Sequence, residues 1–488
     1  MDWEHDGMTR RSALYYGVSS LALVCSFDFD KRARAARGKT SAVVRSKLAS
    51  PFEPFQRDLP LPPVAKPVSR TRREQKYVVT TKPATAEILP GFQTPVLAYD
   101  GQYPGPTFHA TRGQVADVLH VNNSGRDLTV HLHGGVTLPQ YDGHPHDAFA
   151  NGTQKDYRYT NVQSGATLWY HDHSHGETAR TLYHGLAGFY IVSDPAEDEL
   201  ELPRGAYDVP LMIQDRSFNA DGTLRYQSDI DLGFHGDTIL VNGAVAPRMK
   251  VERRLYRLRF LNASNARNYT LALGNNRNMV QIATDGGLLP KPVVRNALPM
   301  APAERIEVVV DFRQFGAGSQ VILHNTEGEA STRAVMRFDV VRGGTEEARV
   351  PRVLTEEEEL PPVNASRTWP LTFQGLGHAQ WEIGGGAFDE DRIDCRPRLG
   401  SSELWTFVNF SQRVHPMHLH CYHFKIVSID GRKPEPGDSG FKDTVRVGPN
   451  QTAIVRPWFD YYAGRYVFHC HASEHGDMSM MGQMEVVR

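Results

Sequence analysis

An all-β chain of three consecutive β-sandwich domains is the fold this sequence predicts, on three observations. From Gln75 onward, short β-type runs alternate with turn residues. Two acidic, Pro/Gly-rich stretches cut the chain into blocks of about one sandwich each. The first and last blocks share a histidine pattern that the middle block lacks.

The runs are "KYVVTT", "PVLAYDG", "VADVLHVNN", "LTVHLHGG", "TLWYHDH" and "GFYIVSD", separated by Gly, Pro, Asn and Asp. No long segment of period 3.6 competes with them, so antiparallel sandwiches are favoured. The linker-like stretches are "SDPAEDELELPRG" (193–205) and "GGTEEARVPRVLTEEEELPPVNAS" (343–366). They predict domains at 75–196, 205–345 and 365–488 behind a lead-in of residues 1–74.

An internal repeat supports the division. In the first block "TVHLHGG" precedes "ATLWYHDHSHGETARTLYHGLAGFYIVSD"; in the third, "HPMHLHCYHF" precedes "GRYVFHCHASEHGDMSMMGQMEVV". Both carry H-L-H and then aromatic-H-x-H. The middle block keeps strand-like runs such as "DTILVNG", "LYRLRFLNASN" and "IEVVVDF" without histidine clusters. The chemistry is therefore expected between blocks one and three.

Composition narrows that chemistry. Lys plus Arg is 54 and Asp plus Glu is 56, a formal net charge of -2, so no global field steers the chain to nucleic acid or an anionic membrane. Cys25, Cys395, Cys421 and Cys470 are too sparse for a disulfide scaffold. With 21 histidines in 488 residues, chance gives about one H-x-H pair, yet six occur, at 131/133, 144/146, 171/173, 173/175, 418/420 and 469/471.

Residues i and i+2 of a strand share a face, so each H-x-H offers two imidazoles to one metal centre. His469 and His471 then face one way and Cys470 the other, and one strand feeds two sites. His418 and His420 share a face, while His415 has the opposite parity and joins Cys470. One centre combines His415, Cys470 and His475 with a thioether in reach, the His₂Cys set of a blue copper site. The other gathers His131, His133, His171, His173, His418, His420, His469 and His471, enough for a cluster of several metals.

The N-terminus reads "MTRRSALYYGVSSLALVC" from Met8. A paired arginine ahead of an apolar run too short to span a membrane fits a twin-arginine export signal at Thr9, Arg10 and Arg11. Periplasm, cell surface or medium is the expected location. No clean A-x-A site follows, and "DKRARAARGK" puts positive charge behind the apolar run. A basic tail on a cytoplasmic protein is the alternative.

The motifs H-L-H-G, W-Y-H-D-H, H-P-M-H-L-H and H-C-H-x-x-x-H-x-x-x-x-M resemble those of the multicopper oxidases, most closely the bacterial spore-coat laccase and bilirubin oxidase branch. The resemblance runs from about residue 75 to the end and includes metal-free stretches such as "DVPLMIQDRSFNADGTL" and "DGGLLPKPVV". It implies three cupredoxin-like Greek-key domains and four copper ions. His131 and His418 are implied for the type 2 copper, and His133, His171, His173, His420, His469 and His471 for the type 3 pair. His415, Cys470 and His475 are implied for the type 1 copper, with Met480 axial.

The activity so implied is a laccase-type oxidase. Four one-electron oxidations of a small-molecule or metal-ion donor are coupled to reduction of O₂ to water, in a monomer without transmembrane segment or nucleic-acid partner. Phenols, aminophenols, bilirubin-like pigments and metal ions are all compatible donors. A metallo-oxidase acting on Cu⁺, Mn²⁺ or Fe²⁺ is the alternative, although no long Met-rich insertion marks a cuprous oxidase. A copper-binding structural protein of the same fold is a further one.

Residues outside the ligand set have plainer readings. His144, His146, His175, His184 and His423 read as surface or supporting residues, Cys395 and Cys421 as buried thiols, and Met478, Met481 and Met484 as core. Asp142, in "YDGHP", sits where the family places a proton-relay carboxylate, although an Asp in D-G also makes turns. The bacterial branch commonly has Glu directly after the type 1 histidine; here that residue is Gly476, and Glu474 precedes the histidine instead.

Overall fold

Alternation of apolar and polar residues puts one face of each strand into a core, and among the described residues the strands assemble accordingly into six sheets in three sequential pairs. The computed structural model describes residues 43–48, 52–374 and 380–488. The expected export motif at Thr9, Arg10 and Arg11, and Cys25, lie outside the described residues. Sheets of five and four strands use the chain from Ser69 to Ser193, sheets of seven and five strands that from Asp208 to Val341, and sheets of five and four strands that from Val363 to Val486. Each pair encloses its own apolar core, and all three belong to one compact unit, Val43–Arg488.

Each sandwich also contains parallel strand pairs beside the antiparallel ones that the strand pattern favours. Glu74–Ala86 runs parallel to Val115–Asn122, Asp208–Arg216 to Leu255–Asn262, and Val363–Gln374 to Ser402–Asn409. In the first sandwich the chain passes through Gly105–Thr111 of the opposite sheet before returning, so it re-enters the first sheet in its original direction. Greek-key connectivity therefore makes parallel neighbours without a crossover helix.

Burial distinguishes the strands that carry histidines. Val115–Asn122 alternates buried and half-buried residues, as a strand with one solvent-side face must. Val130–His133, Ala166–Asp172 and His415–Leu419 are buried at every position. Their inner faces meet a sandwich core; their outer faces meet the neighbouring sandwich. A nine-residue apolar cluster that includes Trp169, Phe189, Met212 and Leu261 seals the first sandwich to the second. Between the first and third, the Asp477 carboxylate accepts the Thr178 and Ala179 N–H groups at 3.1 and 2.9 Å, capping the short helix Thr178–His184 from the other sandwich.

Candidate metal centres

Strand pairing does the first work of assembly. His131 stands opposite His171, and His418 opposite His469. Docking of the first sandwich against the third then stacks His133 on His418 and His131 on His420, each with ring centroids 3.7 Å apart. All eight histidines are buried.

Their ligand atoms converge in three groups: His131, His418 and His420; His133, His171 and His471; His173, His420 and His469. The Nε2 atoms of His173 and His469 are 3.0 Å apart, those of His420 and His469 3.1 Å, and those of His131 and His418 3.4 Å. Such separations suit nitrogens sharing an ion at bonds of about 2 Å.

The outward nitrogens are held from behind. Nδ1–H of His131 donates to the Asp142 carbonyl at 2.6 Å, that of His418 to the Asp443 carbonyl at 2.9 Å, and that of His171 to the Asp172 carbonyl at 2.8 Å. His420 Nδ1 donates to the Asp142 carboxylate at 2.7 Å and His469 Nδ1 to the Cys470 carbonyl at 3.0 Å. Each bond turns the Nε2 lone pair inward. His133 is reversed: its Nε2 donates to Asp443 Oδ1 at 3.0 Å, which leaves Nδ1 for the cluster.

Copper fits this donor set. His133 Nδ1, His171 Nε2 and both His471 nitrogens are buried without a hydrogen-bond partner among the described residues, an arrangement that costs free energy unless a cation takes the lone pairs. Burial also pushes His171 and His469 down to about 3 and holds His131, His133, His173, His420 and His471 well below the usual histidine range. The rings are therefore neutral, the form that binds metal.

The opposite face of the Gly464–Cys470 strand builds the second centre. Cys470 Sγ lies 3.5 Å from His415 Nδ1 and 3.7 Å from His475 Nδ1. The far nitrogens are fixed, His415 Nε2 by the Ser411 hydroxyl at 2.8 Å and His475 Nε2 by the Asp231 carbonyl at 3.1 Å. Met480 is fully buried beside them; its carbonyl accepts the Cys470 N–H and its own N–H donates to the His475 carbonyl, both at 3.0 Å. Burial pushes the Cys470 thiol up, so a thiolate here requires a cation to replace its proton.

Three contributors escaped the sequence reading. Trp381 packs its ring against both His415 and His475, at 4.6 and 4.4 Å, and donates Nε1–H to the Ile230 carbonyl at 2.6 Å. Asp443 accepts from His133, and Arg305 of the middle sandwich pairs with Asp443. None sits in a motif with recognisable spacing.

The two carboxylates beside the cluster differ in charge state. Burial pushes Asp142 up to about 8. Burial would raise Asp443 too, but Arg305 and His133 beside it hold it well below the usual carboxylate range. Asp142 therefore keeps its proton near neutral pH, while Asp443 stays an anion.

Residues 80–197 and 363–488 match the multicopper oxidase family. A laccase of Bacillus stratosphericus is 35% identical, covering 90% of this chain and 100% of its own length. The chain belongs to the multicopper oxidase family. A bilirubin oxidase of Albifimbria verrucaria is likewise 35% identical, over 89% of this multicopper oxidase and 82% of its own chain. The crystal structure of a laccase from Pediococcus acidilactici superposes with a TM-score of 0.84 at 32% identity, covering 91% of this chain and 96% of that one.

Cys395, Cys421, Met481 and Met484 are buried in the third sandwich. Glu474 is buried and accepts from Asn265 and Tyr226 at 2.9 and 3.0 Å. A Cβ at Gly476 would sit 3.1 Å from the Cys470 carbonyl, so a side chain there forces a small backbone adjustment.

Proposed function

We propose that this multicopper oxidase is laccase-like, coupling four one-electron oxidations of a phenol, aminophenol or bilirubin-like donor to the four-electron reduction of O₂ to water. The supporting observation is the placement of Cys470. Its sulfur meets His415 and His475, while its sequence neighbours His469 and His471 join the histidine cluster on the opposite face. The names of the relatives favour this donor class over metal ions.

We assign His415, Cys470 and His475, together with Met480, as the residues that would hold a type 1 copper, and His131 and His418 as those that would hold a type 2 copper. His133, His171 and His471 take one type 3 ion and His173, His420 and His469 the other. When bound, the four coppers supply single-electron acceptance at the thiolate and four-electron oxygen chemistry at the cluster.

The chain supplies the rest. Cys470 is joined to His469 and His471 through its two peptide links, and the His469 Nδ1–H hydrogen bond to the Cys470 carbonyl adds a non-covalent link between the two centres. Asp142, within hydrogen-bond reach of His420 and Thr137, holds a proton at its carboxyl beside the cluster and delivers it there. The back-side hydrogen bonds fix ring orientation throughout.

The domain division at 75–196, 205–345 and 365–488, a monomeric state, and export through Thr9, Arg10 and Arg11 belong to the same proposal. The test is direct. The purified, copper-loaded protein should hold four coppers per chain, be blue, and consume O₂ with a diphenol or aminophenol. A blue protein that never consumes O₂ would leave only the copper-binding structural reading.

A further inference from the structure

Two H-x-H pairs, at 144/146 and 173/175, contribute histidines that the copper centres do not use. The fold brings two of them, His146 and His175, together. Their rings lie 5.1 Å apart with planes inclined by 28°, and each lies 5.6 Å from Phe388 of the third sandwich. Glu390 Oε2 is 2.8 Å from His146 Nδ1. His144, just behind, is already committed: Nε2 faces Gln483 at 2.9 Å and Nδ1 accepts the His146 N–H at 3.4 Å.

The cluster is open to solvent. The His146 side chain is 34% exposed, that of Glu390 56%, and His175 is exposed as well. His175 also lines a narrow cleft whose walls include His173, His469, His471, Gly476 and Asp477. Two imidazoles and a carboxylate therefore stand where the surface opens toward the histidine cluster.

We propose that His146, His175 and Glu390 bind one divalent transition-metal ion, Cu²⁺ above others, at the mouth of this cleft. Two nitrogens and a carboxylate oxygen form a borderline donor set that takes Zn²⁺ and Cu²⁺ and ranks copper higher. The ion sits between His146 Nδ1 and Glu390 Oε2, which lie 2.8 Å apart, and the exposed His175 ring turns about its side-chain torsions to complete the set. Phe388 gives the site an apolar floor. On the type 3 assignment made above, the ion held here is copper on its way to the buried cluster.

The copper-loaded enzyme, titrated with redox-silent Zn²⁺ and followed by calorimetry and metal counting, should take up one further ion per chain. His146→Ala and Glu390→Gln should each weaken that uptake by about tenfold or more, with blue colour and O₂ consumption unchanged. Cu²⁺ added to the loaded parent should give an extra nitrogen-coupled electron paramagnetic resonance signal that the double variant lacks. Zinc uptake undiminished in both variants, or none in the parent, overturns the site. Equal copper content in parent and double variant from copper-limited cells overturns the loading role. Zinc binding through these residues in a protein that is neither blue nor an oxidase would refute the functional reading and leave the site standing.

Discussion

Arg305 of the middle sandwich and Asp443 of the third form a fully buried ion pair behind the histidine cluster. Arg305 Nη1 donates to Asp443 Oδ1 at 2.9 Å, and the same oxygen accepts His133 Nε2–H at 3.0 Å. A sandwich with no histidine cluster of its own thus decides which nitrogen His133 turns inward. Arg305 also donates to the carbonyls of Thr167 and Ala303, at 3.0 and 2.9 Å, so one side chain ties three sandwiches together.

Arg305→Met should therefore destabilise the protein by about 3–5 kcal/mol, the usual cost of leaving one partner of a buried pair alone. The sign with pH follows from Asp443. Its folded pKa is depressed, so the stability it contributes is present above the unfolded value of about 3.9 and is lost as pH falls through the folded value. Without Arg305 that loss should begin at higher pH. Urea titrations between pH 4 and 7 check both; an unchanged midpoint would deny the pair a structural role.

Asp142→Asn should slow turnover by on the order of a hundredfold, the usual scale for a lost proton donor. Asp142 is pushed up to about 8, so the parent keeps a proton there through neutral pH and loses it above. The defect should widen as pH rises toward about 8, because free protons no longer substitute, and narrow above it, where the parent carboxyl has lost its proton too, while blue colour and reduction by the donor stay intact. Unimpaired turnover across the whole range would reject the relay.

The convergence of the histidines and Cys470 was legible because its signal is local: i, i+2 spacing on a strand fixes which side chains share a face, as at His469, Cys470 and His471. Asp443, Arg305 and Trp381 were not, because their roles arise from contacts between residues 138 and 310 positions apart in the case of Asp443. "KDTVRV" carries no spacing that names a partner. The parallel strand pairs were hidden for a related reason: alternation reports which face is buried, not the direction of the neighbouring strand.

Met480→Leu tests the axial assignment. A weak axial ligand tunes potential without holding the metal, so the variant should stay blue with a raised potential in a redox titration. A colourless variant would point to a different ligand arrangement.

Replacing Arg10 and Arg11 with Lys should trap the protein in the cytoplasm if these residues address it for export. Fractionation that finds the variant distributed like its parent would favour a basic tail.

Copper counting combined with optical and electron paramagnetic resonance spectroscopy of Cys470→Ser tests the central claim, that one strand serves two separate copper centres. The account predicts a colourless protein that retains three coppers at the histidine cluster, keeps a type 2 signal, and consumes no O₂ with any donor. A variant that remained blue, or that lost the cluster coppers together with the colour, would contradict it.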